Sequence, residues 1–271
     1  MKRLAVLGHP VAHSRSPAMH NAALAELGLA GEWSYEAIDL APDELESRLR
    51  AMEGEGFVGA NVTIPHKEAA LRLADTASPV AQAIGAANTL SFEAGGIQAD
   101  NTDAGGLIDA LPGGVRGRRA LVLGAGGAAR AAIWVLAKES TVVDAVDVWN
   151  RTESRAQEIA SHLGGAPVGT PKLGNYGLIV NATSVGLHGE NPFDELRPLA
   201  DGQLDSEQVV VDLVYGDRPT GLIEAAKAVG AHAVDGLEIL VRQGARSLKI
   251  WTERDPPIDV MRNAAREALP G

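Results

Sequence analysis

A chain of 271 residues is long enough for two hydrophobic cores, so we expect two domains with a cleft between them. Its formal net charge of −11 disfavours nucleic acid and anionic membranes as partners, because the field of the protein repels phosphate. Its composition includes no cysteine, which excludes disulfides, a thiol nucleophile and a thiolate metal site.

Short apolar strands alternate with helical segments over the first hundred residues, which is the pattern of parallel βα units. Strands are predicted at Leu4–Leu7, Trp33–Asp39, Phe57–Val62, 88–92 and 96–99, and helices from Pro17, Pro42 and Lys67 and from Thr102 to Leu111. The helical stretch after Lys67 is expected to form two short pieces. We therefore expect an N-terminal α/β domain with a mostly parallel sheet.

A second α/β series begins near residue 120. Its strands are predicted at Ala120–Leu123, Val142–Trp149, Leu178–Asn181 and Val209–Val214. From Gly236 onward the chain is predicted to be helical and to pack back on the first domain. The fold class is thus α/β with two domains, the first comprising residues 1–103 and 237–271 and the second residues 104–236.

A glycine-rich turn follows the first strand of the second series. The turn reads Gly124-Ala125-Gly126-Gly127-Ala128-Ala129 and opens an alanine-rich helix. Strand, turn and helix together match the dinucleotide-binding fingerprint, in which glycines let the backbone approach a pyrophosphate at a helix N-terminus. The segment predicts a Rossmann-type, doubly wound dinucleotide-binding domain, with a tight turn that binds no ligand as the alternative.

The end of the next strand indicates which dinucleotide is bound. An acidic side chain at that rim would bind the ribose 2′-hydroxyl of NAD. Asp147 is predicted to lie inside the strand, so that Asn150 occupies the rim, with Arg151 beside it and Arg155 one helical turn further on. Because guanidinium groups bind a 2′-phosphate well, we predict NADP, with two solvated arginines at a helix start as the alternative.

The segment Asn61-Val62-Thr63-Ile64-Pro65-His66-Lys67 places a lysine where a buried strand ends. Pro65 interrupts the strand, and Lys67 opens a helix rich in alanine and leucine. The end of a strand before a helix is a common position for an active site. We therefore expect Lys67 to lie at the rim of an open site.

Three more polar clusters lie at predicted strand or helix ends of the first domain: Ser14-Arg15-Ser16-Pro17, Ala87-Asn88-Thr89 and Asp100-Asn101-Thr102-Asp103. Taken singly, each has an ordinary structural explanation. Ser16 is a candidate N-cap for the helix from Pro17, and Asp103 could be a first-turn carboxylate that complements the helix dipole. Their combination with Lys67 is more specific.

The combined motifs resemble the shikimate dehydrogenase family. The matching segments occur in order along the whole chain: 14–21, 61–67, Gly85-Ala86-Ala87-Asn88-Thr89, 100–103, the glycine turn, Asn150-Arg151-Thr152, Asn181-Ala182-Thr183-Ser184, Asp235-Gly236 and Gln243. Enzymes of that family reduce 3-dehydroshikimate to shikimate with NADPH, a step in the synthesis of aromatic amino acids. The resemblance implies a substrate-binding catalytic domain at 1–103 and 237–271 and an NADP-binding domain at 104–236.

The resemblance also implies roles for individual residues. Lys67 and Asp103 would be the catalytic pair: Lys67 would stabilise or protonate the substrate oxygen, and Asp103 would hold Lys67 and bind a substrate hydroxyl. Ser14 and Ser16 would bind the substrate carboxylate, and Asn61 would bind substrate or orient its neighbours. Substrate hydroxyls or the carboxylate would be bound by Thr63, Asn88, Tyr215 and Gln243. The cofactor would be bound by Gly124, Ala125, Gly126, Gly127, Ala128, Asn150, Arg151, Thr152, Arg155, Thr183, Leu213 and Gly236.

Three alternatives stay open at this stage. His66 is adjacent to Lys67 and is a rival proton donor, although neighbouring side chains in such a turn usually diverge. A quinate/shikimate dehydrogenase that uses NAD would have the same fold, but an acidic residue would be expected where Asn150 stands. A non-catalytic NADP-binding sensor or scaffold would have no need of Lys67 and Asp103.

No metal site is predicted, because the loop histidines His9 and His13 are separated by Pro10 and no acidic cluster accompanies them. No apolar run approaches the roughly 18 residues of a membrane span, and Met1-Lys2-Arg3 leads directly into a predicted strand rather than into a secretory signal. We therefore expect a cytoplasmic enzyme whose partner is a small-molecule substrate. A homodimer is compatible with the sequence, which does not distinguish it from a monomer.

Overall fold

The first sheet has six strands in the order β2-β1-β3-β5-β6-β4. These are β1 (Lys2–Gly8), β2 (Trp33–Asp39), β3 (Phe57–Val62), β4 (Thr76–Ala77), β5 (Thr89–Glu93) and β6 (Gly96–Asp100). Strand β1 pairs in parallel with β2 and β3, whereas β5 runs antiparallel to both β3 and β6. Residues 1–113, 115, 118–138, 142–187, 189–200 and 202–268 are described by the computed structural model.

Helices flank this sheet at the positions that the sequence predicts. They are α1 (Ser16–Glu26), α2 (Leu45–Met52), α3 (Lys67–Leu73), α4 (Pro79–Ile84), α5 (Asp103–Ala110), α11 (Gly236–Thr252) and α12 (Ile258–Glu267). Pro42 opens a 3-10 turn, Pro42–Glu44, ahead of α2 rather than an α-helix. The C-terminal helices pack on the N-terminal elements: the Arg15 guanidinium donates to the carbonyl of Ala265 in α12, and the Trp251 indole donates to the carbonyl of Leu90 in β5.

The second sheet also has six strands, in the order β12-β11-β10-β7-β8-β9, and all its pairs are parallel. Its strands are β7 (Arg118–Leu123), β8 (Val143–Trp149), β9 (Ala166–Pro167), β10 (Leu178–Asn181), β11 (Val209–Asp212) and β12 (His232–Val234). The helices are α6 (Gly127–Lys138), α7 (Glu153–Leu163), α8 (Pro192–Glu195), α9 (Arg197–Ala200) and α10 (Gly221–Ala228). Strand order reverses between β7 and β10, and open sheets of this kind bind ligands at the carboxyl ends of those strands.

The chain forms two compact units, one of Met1–Gly106 with Leu240–Gly271 and one of Leu107–Ile239. Each unit has its own sheet and its own apolar core. Phe57 and Leu90 lie in the core of the first unit, and Leu121 and Ile179 lie in that of the second. Among the described residues, every helix is too short or too polar to cross a membrane.

The predicted strands and helices are confirmed, with corrections at their ends. Strand β5 begins at Thr89 rather than Asn88, and β11 ends at Asp212 rather than Val214, so that Asn88 and Leu213 lie outside the ladders. The sequence prediction missed β4, β9 and β12. These strands have two or three residues each, which is too short for an alternating pattern to be recognised.

Candidate active site

Lys67 is the first residue of α3, and its Nζ lies 2.6 Å from Oδ2 of Asp103, the first residue of α5. The two side chains are 14 % and 15 % exposed. The ion pair is therefore largely shielded from water but still accessible to a small ligand. A charged hydrogen bond of this length, between groups at the starts of two helices, fixes the ammonium in one position.

Asn88 holds the other oxygen of the Asp103 carboxylate. Its Nδ2 lies 2.9 Å from Oδ1 of Asp103 and 3.0 Å from Oε1 of Gln243, and its Oδ1 accepts the backbone N–H of Thr102 at 2.7 Å. The acceptor role of Oδ1 sets the orientation of the amide, because only the opposite group can then donate to Asp103. Lys67, Asn88, Asp103 and Gln243 thus form one connected cluster within the first unit.

Asn61 is buried and is fully engaged by protein groups. Its Oδ1 accepts from the Tyr35 hydroxyl at 2.8 Å, and its Nδ2 lies 2.9 Å from Oγ of Ser247 and 3.1 Å from the carbonyl oxygen of Asn88. These bonds connect Asn61 to β2, to the segment before β5 and to α11. Thr63 follows β3 and is only partly buried, with its backbone N–H bonded to the carbonyl of Leu7.

Ser14 lies in the loop that leads into α1, and Ser16 lies at the start of that helix. Ser16 is buried and is the first residue of that helix, so the expectation that Ser16 caps it is wrong: the N-cap position belongs to Arg15, whose side chain makes no capping bond. Proline is tolerated in the first helical turn, which allows the helix to begin before Pro17. The backbone N–H of Ser16 donates to Oγ of Ser14 at 3.3 Å, which holds the Ser14 hydroxyl beside the start of α1.

His66 does not share the environment of Lys67. It is buried, and its Nε2 donates to the carbonyl of Leu40 at 2.7 Å. Because the acceptor is a carbonyl oxygen, Nε2 carries the proton in this bond. The imidazole is therefore a structural link between two loops.

The glycine turn of the second unit lies where the strand order reverses. Gly124 has a φ of 115°, and a Cβ at this position would lie 2.9 Å from the carbonyl oxygen of Ala182, which follows β10. Only glycine fits such a conformation and such a close approach. By contrast, a Cβ on Gly126 would meet no atom within 4 Å, so this face of the turn is open. Helix α6 begins at Gly127, with Ala129 fully buried.

The end of β8 is arranged as the sequence predicts. Asp147 lies inside the strand and is buried, where it accepts from Arg119 at 2.7 Å and from the Tyr176 hydroxyl at 2.8 Å. The strand ends at Trp149, and Asn150 follows it, with its Nδ2 bonded to the carbonyl of Thr152 at 3.0 Å. Arg151 and Arg155 are exposed, and α7 begins directly after Thr152. The rim of this strand therefore carries an amide and cationic groups.

A buried polar network organises the ends of β10 and β11. Asp212 is fully buried and accepts from Asn181 at 2.9 Å, from Thr220 at 2.5 Å and from the backbone N–H of Val214 at 3.1 Å. Burial raises the pKa of the Asp212 carboxyl, against the effect of these three donors. Thr183 is the second residue after β10, and its hydroxyl donates to Oδ1 of Asn181 at 2.7 Å.

Leu213 and Gly236 lie next to each other within the second unit. A Cβ on Gly236 would lie 2.6 Å from the carbonyl oxygen of Leu213 and 2.5 Å from that of Val214, so the start of α11 touches the backbone after β11. Tyr215 follows in the same loop and is partly buried. In the part of the chain that the structure describes, no group of three or more His, Cys, Asp or Glu side chains could hold a metal ion.

Several residues of these networks were not predicted to have a role. Sequence patterns assign no role to Thr89 and Thr102, although both lie in the polar clusters, and none to Ser247, Asp212 and Thr220. The only sequence signal for Ser247 is its position four residues after Gln243, which places both on one face of α11. The strand predicted at Val209–Val214 includes Asp212 and gives no signal of its role.

Three family models match successive parts of the chain. Residues 6–90 match the shikimate dehydrogenase substrate binding domain, residues 108–186 match shikimate / quinate 5-dehydrogenase, and residues 236–266 match the shikimate 5'-dehydrogenase C-terminal domain. The first and third matches include Lys67, Asn88 and Gln243, and the second includes the glycine turn.

Relatives and solved structures cover nearly the whole chain. The NADP(+)-dependent shikimate dehydrogenase of Methanocella arvoryzae is 42 % identical over 276 residues, covering 97 % of this chain and 98 % of the relative. A shikimate 5-dehydrogenase structure from Thermus thermophilus, in complex with NADP(H) and shikimate, is 45 % identical with a TM-score of 0.86, covering 99 % of this chain and all of that one. The shikimate dehydrogenase structure from Aquifex aeolicus has a TM-score of 0.88 and 35 % identity, with 98 % of both chains covered.

The second unit is doubly wound, with a glycine turn at the reversal of strand order, and the first unit carries a lysine–carboxylate pair; together they define a Rossmann-type oxidoreductase of two domains. With relatives of this identity over nearly its full length, the chain belongs to the shikimate dehydrogenase family.

Proposed function

We propose that this protein catalyses the reversible, NADPH-dependent reduction of 3-dehydroshikimate to shikimate, a step of the shikimate pathway that leads to chorismate and the aromatic amino acids. The observation that carries the proposal is the Lys67–Asp103 pair, 2.6 Å apart, with Asn88 and Gln243 bonded into the same cluster. A protein that only bound NADP would have no use for an ammonium group that is largely shielded from water but accessible to a small ligand. The curated relative named above supports the same activity.

The reduction adds a hydride to the ketone carbon and a proton to its oxygen. NADPH, when bound, supplies the hydride. Lys67 stabilises the negative charge that develops on the substrate oxygen and transfers a proton to it from Nζ. In the reverse direction the neutral amine takes the proton from the substrate hydroxyl. The 14 % exposure of the Lys67 side chain leaves access for water to restore the proton afterwards.

Asp103 and Asn88 prepare Lys67 for this step. Asp103 holds Nζ through Oδ2, and Asn88 holds Oδ1 of the same carboxylate at 2.9 Å. The carboxylate remains available to substrate hydroxyls, since it has about four acceptor sites. We assign no proton transfer to His66, because its Nε2–H is bonded to the Leu40 carbonyl.

The remaining substrate contacts are assigned by polarity and position. Ser14 and Ser16 would bind the carboxylate, which needs local donors because the protein carries a net charge of −11. The hydroxyl groups of the ring, or in part the carboxylate, would be bound by Thr63, Asn88, Tyr215 and Gln243. Asn61 orients Asn88 and its neighbours from within the buried network. We assign substrate binding and catalysis to residues 1–103 and 237–271.

The second α/β unit fits NADP. The open face at Gly126 and the start of α6 at Gly127 leave room for a pyrophosphate against backbone N–H groups. Asn150, Thr152, Arg151 and Arg155 would bind the 2′-phosphate and its ribose, and Asp147 of β8 is engaged by Arg119 and Tyr176 rather than directed at the rim. Ala125, Ala128 and Thr183 would line the cofactor, and the backbone at Leu213 and Gly236 would meet the nicotinamide. We assign cofactor binding to residues 104–236.

One assay with purified protein tests the proposal against its rivals. Oxidation of shikimate with NADP is expected to be at least about tenfold more efficient, in kcat/KM, than oxidation of quinate with NADP or of shikimate with NAD. If quinate with NAD is the preferred pair, the protein is a quinate/shikimate dehydrogenase that uses NAD instead. Binding of NADP without turnover of either acid would leave only the sensor or scaffold reading. The cytoplasm as location and the homodimer stay predictions, which cell fractionation and sedimentation test.

A further inference from the structure

The hydroxyl group of Ser247, in α11, lies at the centre of a buried network that the proposed roles do not explain. Ser247 is fully buried. Its Oγ has four polar atoms within hydrogen-bond distance: Nδ2 of Asn61 at 2.9 Å, Oγ1 of Thr89 at 2.8 Å, Oγ1 of Thr102 at 3.1 Å and the carbonyl oxygen of Gln243 at 3.1 Å. These partners come from β3, β5, the β6–α5 connection and α11 itself. Thr89 and Thr102 are the sequence neighbours of Asn88 and Asp103, so one small side chain links the segments next to both.

The number of partners restricts how the protons are arranged. A serine hydroxyl donates once and accepts twice. The Asn61 amide can only donate to it, and the Gln243 carbonyl can only accept from it. One lone pair of Ser247 is then left for a threonine hydroxyl, and Thr89 is the nearer donor at 2.8 Å.

This arrangement limits what Thr102 does. With the Thr89 proton directed at Ser247, the Thr102 hydroxyl has two acceptors left, Oγ1 of Thr89 at 3.1 Å and Oδ1 of Asn88 at 3.2 Å, and its own oxygen lies 3.0 Å from Nδ2 of Asn88. Oδ1 of Asn88 accepts the Thr102 backbone N–H at 2.7 Å in either case, and Nδ2 faces Asp103 and Gln243. An inverted Asn88 amide would place its oxygen 2.9 Å from a carboxylate oxygen of Asp103, which is repulsive.

We propose that Ser247 is a positioning residue that fixes the hydroxyl pattern of Thr89 and Thr102 and, through it, the position in which Asn88, oriented by the Thr102 backbone N–H, holds Asp103 and Gln243. Ser247 itself touches neither substrate nor cofactor. The inference rests on the proposed function, because its consequence is measured on shikimate oxidation. The geometry that it explains is independent of that function.

Ser247→Ala removes one buried oxygen atom and leaves the partners in place. We expect kcat to fall by about tenfold and KM for shikimate to rise, since small misplacements of a catalytic group are costly. KM for NADP should not change. Ser247→Thr, which keeps the hydroxyl, should recover most of kcat wherever the extra methyl is accommodated.

Thr252→Ala is the matched control. Thr252 lies on the same helix and makes the same kind of bond, from Oγ1 to the carbonyl of Leu248 at 2.7 Å, but has no contact with the network among the hydrogen bonds of the described residues. It should lower the melting temperature by a similar small amount and leave both kinetic constants unchanged. All assays are run well below the melting temperature of each variant.

A second test separates a positioning role from a loss of packing. Thr89→Val removes the hydroxyl that lies between Ser247 and Asn88 while keeping the shape of the side chain. If both residues act through the position of Asn88, the double variant with Ser247→Ala should lose less kcat/KM than the product of the two single losses. Multiplicative losses would overturn the inference.

The outcomes distinguish failure of the proposed function from failure of the role of Ser247. Wild-type protein without activity on shikimate would contradict the proposed function. Active wild type with a Ser247→Ala variant whose kcat and KM for shikimate stay within about twofold would overturn the role of Ser247 alone, whatever happens to its melting temperature.

Discussion

His66 and Lys67 are neighbours in the chain, but their side chains serve different structures. Nε2 of His66 is bonded to the carbonyl of Leu40 at 2.7 Å within the core, and Nζ of Lys67 is paired with Asp103 at 2.6 Å at the accessible rim. The turn between β3 and α3 directs the two side chains into different surroundings. The same segment thus anchors a loop with one residue and presents an ammonium with the next.

This separation predicts that His66 can be replaced without losing the chemistry. His66→Ala should destabilise the protein by about 1–3 kcal/mol, since it leaves the buried Leu40 carbonyl without its donor. At a temperature where the variant is folded, kcat should stay within about threefold of wild type. Urea unfolding and steady-state kinetics measure the two quantities. A loss of kcat comparable to that of a Lys67 variant, in folded protein, would make His66 the better candidate for the proton donor.

The first two glycines of the turn after β7 should respond differently to alanine. Gly124→Ala forces a side chain into a backbone with φ of 115° and to within 2.9 Å of the Ala182 carbonyl oxygen, so the free protein should lose about 1–3 kcal/mol of stability. Gly126→Ala adds a methyl group to open space and should leave the melting temperature of the free protein unchanged.

NADP binding then provides the complementary result. Gly126→Ala should bind NADP at least about tenfold more weakly, because the methyl group occupies the approach of the pyrophosphate to the backbone. Fluorescence titration with NADP measures this. Equal affinity of Gly126→Ala and wild type would show that the open face of the turn is not where the phosphates bind.

The arginines after β8 should determine the choice between NADP and NAD. Replacing Arg151 and Arg155 with alanine removes two guanidinium groups beside Asn150, and hydrogen bonds to charged groups contribute about 1.5–3 kcal/mol each. We expect kcat/KM for NADP to fall by about tenfold or more, with little change for NAD. Lys138→Ala, at the opposite end of α6 from the glycine turn, is the control for a general loss of positive charge. An equal loss with both cofactors would rule out recognition of the 2′-phosphate by these residues.

His20 should make the folded protein sensitive to acid. It is fully buried, it stacks on Tyr35 at a centroid distance of 4.2 Å, and neither ring nitrogen has a hydrogen-bond partner among the described residues. Burial lowers the pKa of the imidazole from 6.5 to about 3. Between these values the unfolded chain binds one more proton than the folded protein, so the free energy of unfolding falls as pH decreases from about 6.5 towards 3, by about 1.4 kcal/mol per pH unit.

His20→Phe keeps an aromatic ring on Tyr35 and has no group to protonate. Its free energy of unfolding should therefore be less dependent on pH than that of wild type between pH of about 6 and 4, as measured by urea unfolding. His13→Gln removes an exposed imidazole from the same unit and should retain the wild-type slope. If the free energy of unfolding depends on pH equally in wild type and His20→Phe, His20 does not contribute to the acid sensitivity.

The order of the elements was predictable because most strands are apolar runs bounded by breakers. The position of Asn150 followed from the same reasoning, since the apolar run ends at Trp149 and Asp147 falls within it. Short edge strands such as Ala166–Pro167 were not predictable, because their pairing depends on the adjacent strand and not on their own pattern.

The buried polar network could not be predicted for a different reason. Ser247 meets Asn61, Thr89 and Thr102 only after four segments distant in sequence have folded together. A serine within a helix carries no local signal of that environment. His20 is similar: its sequence neighbours do not indicate that packing leaves both of its nitrogens without a partner among the described residues.

The most direct test of the central claim is the turnover of Lys67→Ala with shikimate and NADP, compared with wild type and with binding of NADP measured on the same samples. We expect kcat to fall by at least about a hundredfold, which corresponds to about 2.7 kcal/mol, with NADP bound as tightly as before. A fall in kcat of less than about tenfold in folded, NADP-binding protein would contradict the assignment of Lys67 as the catalytic group.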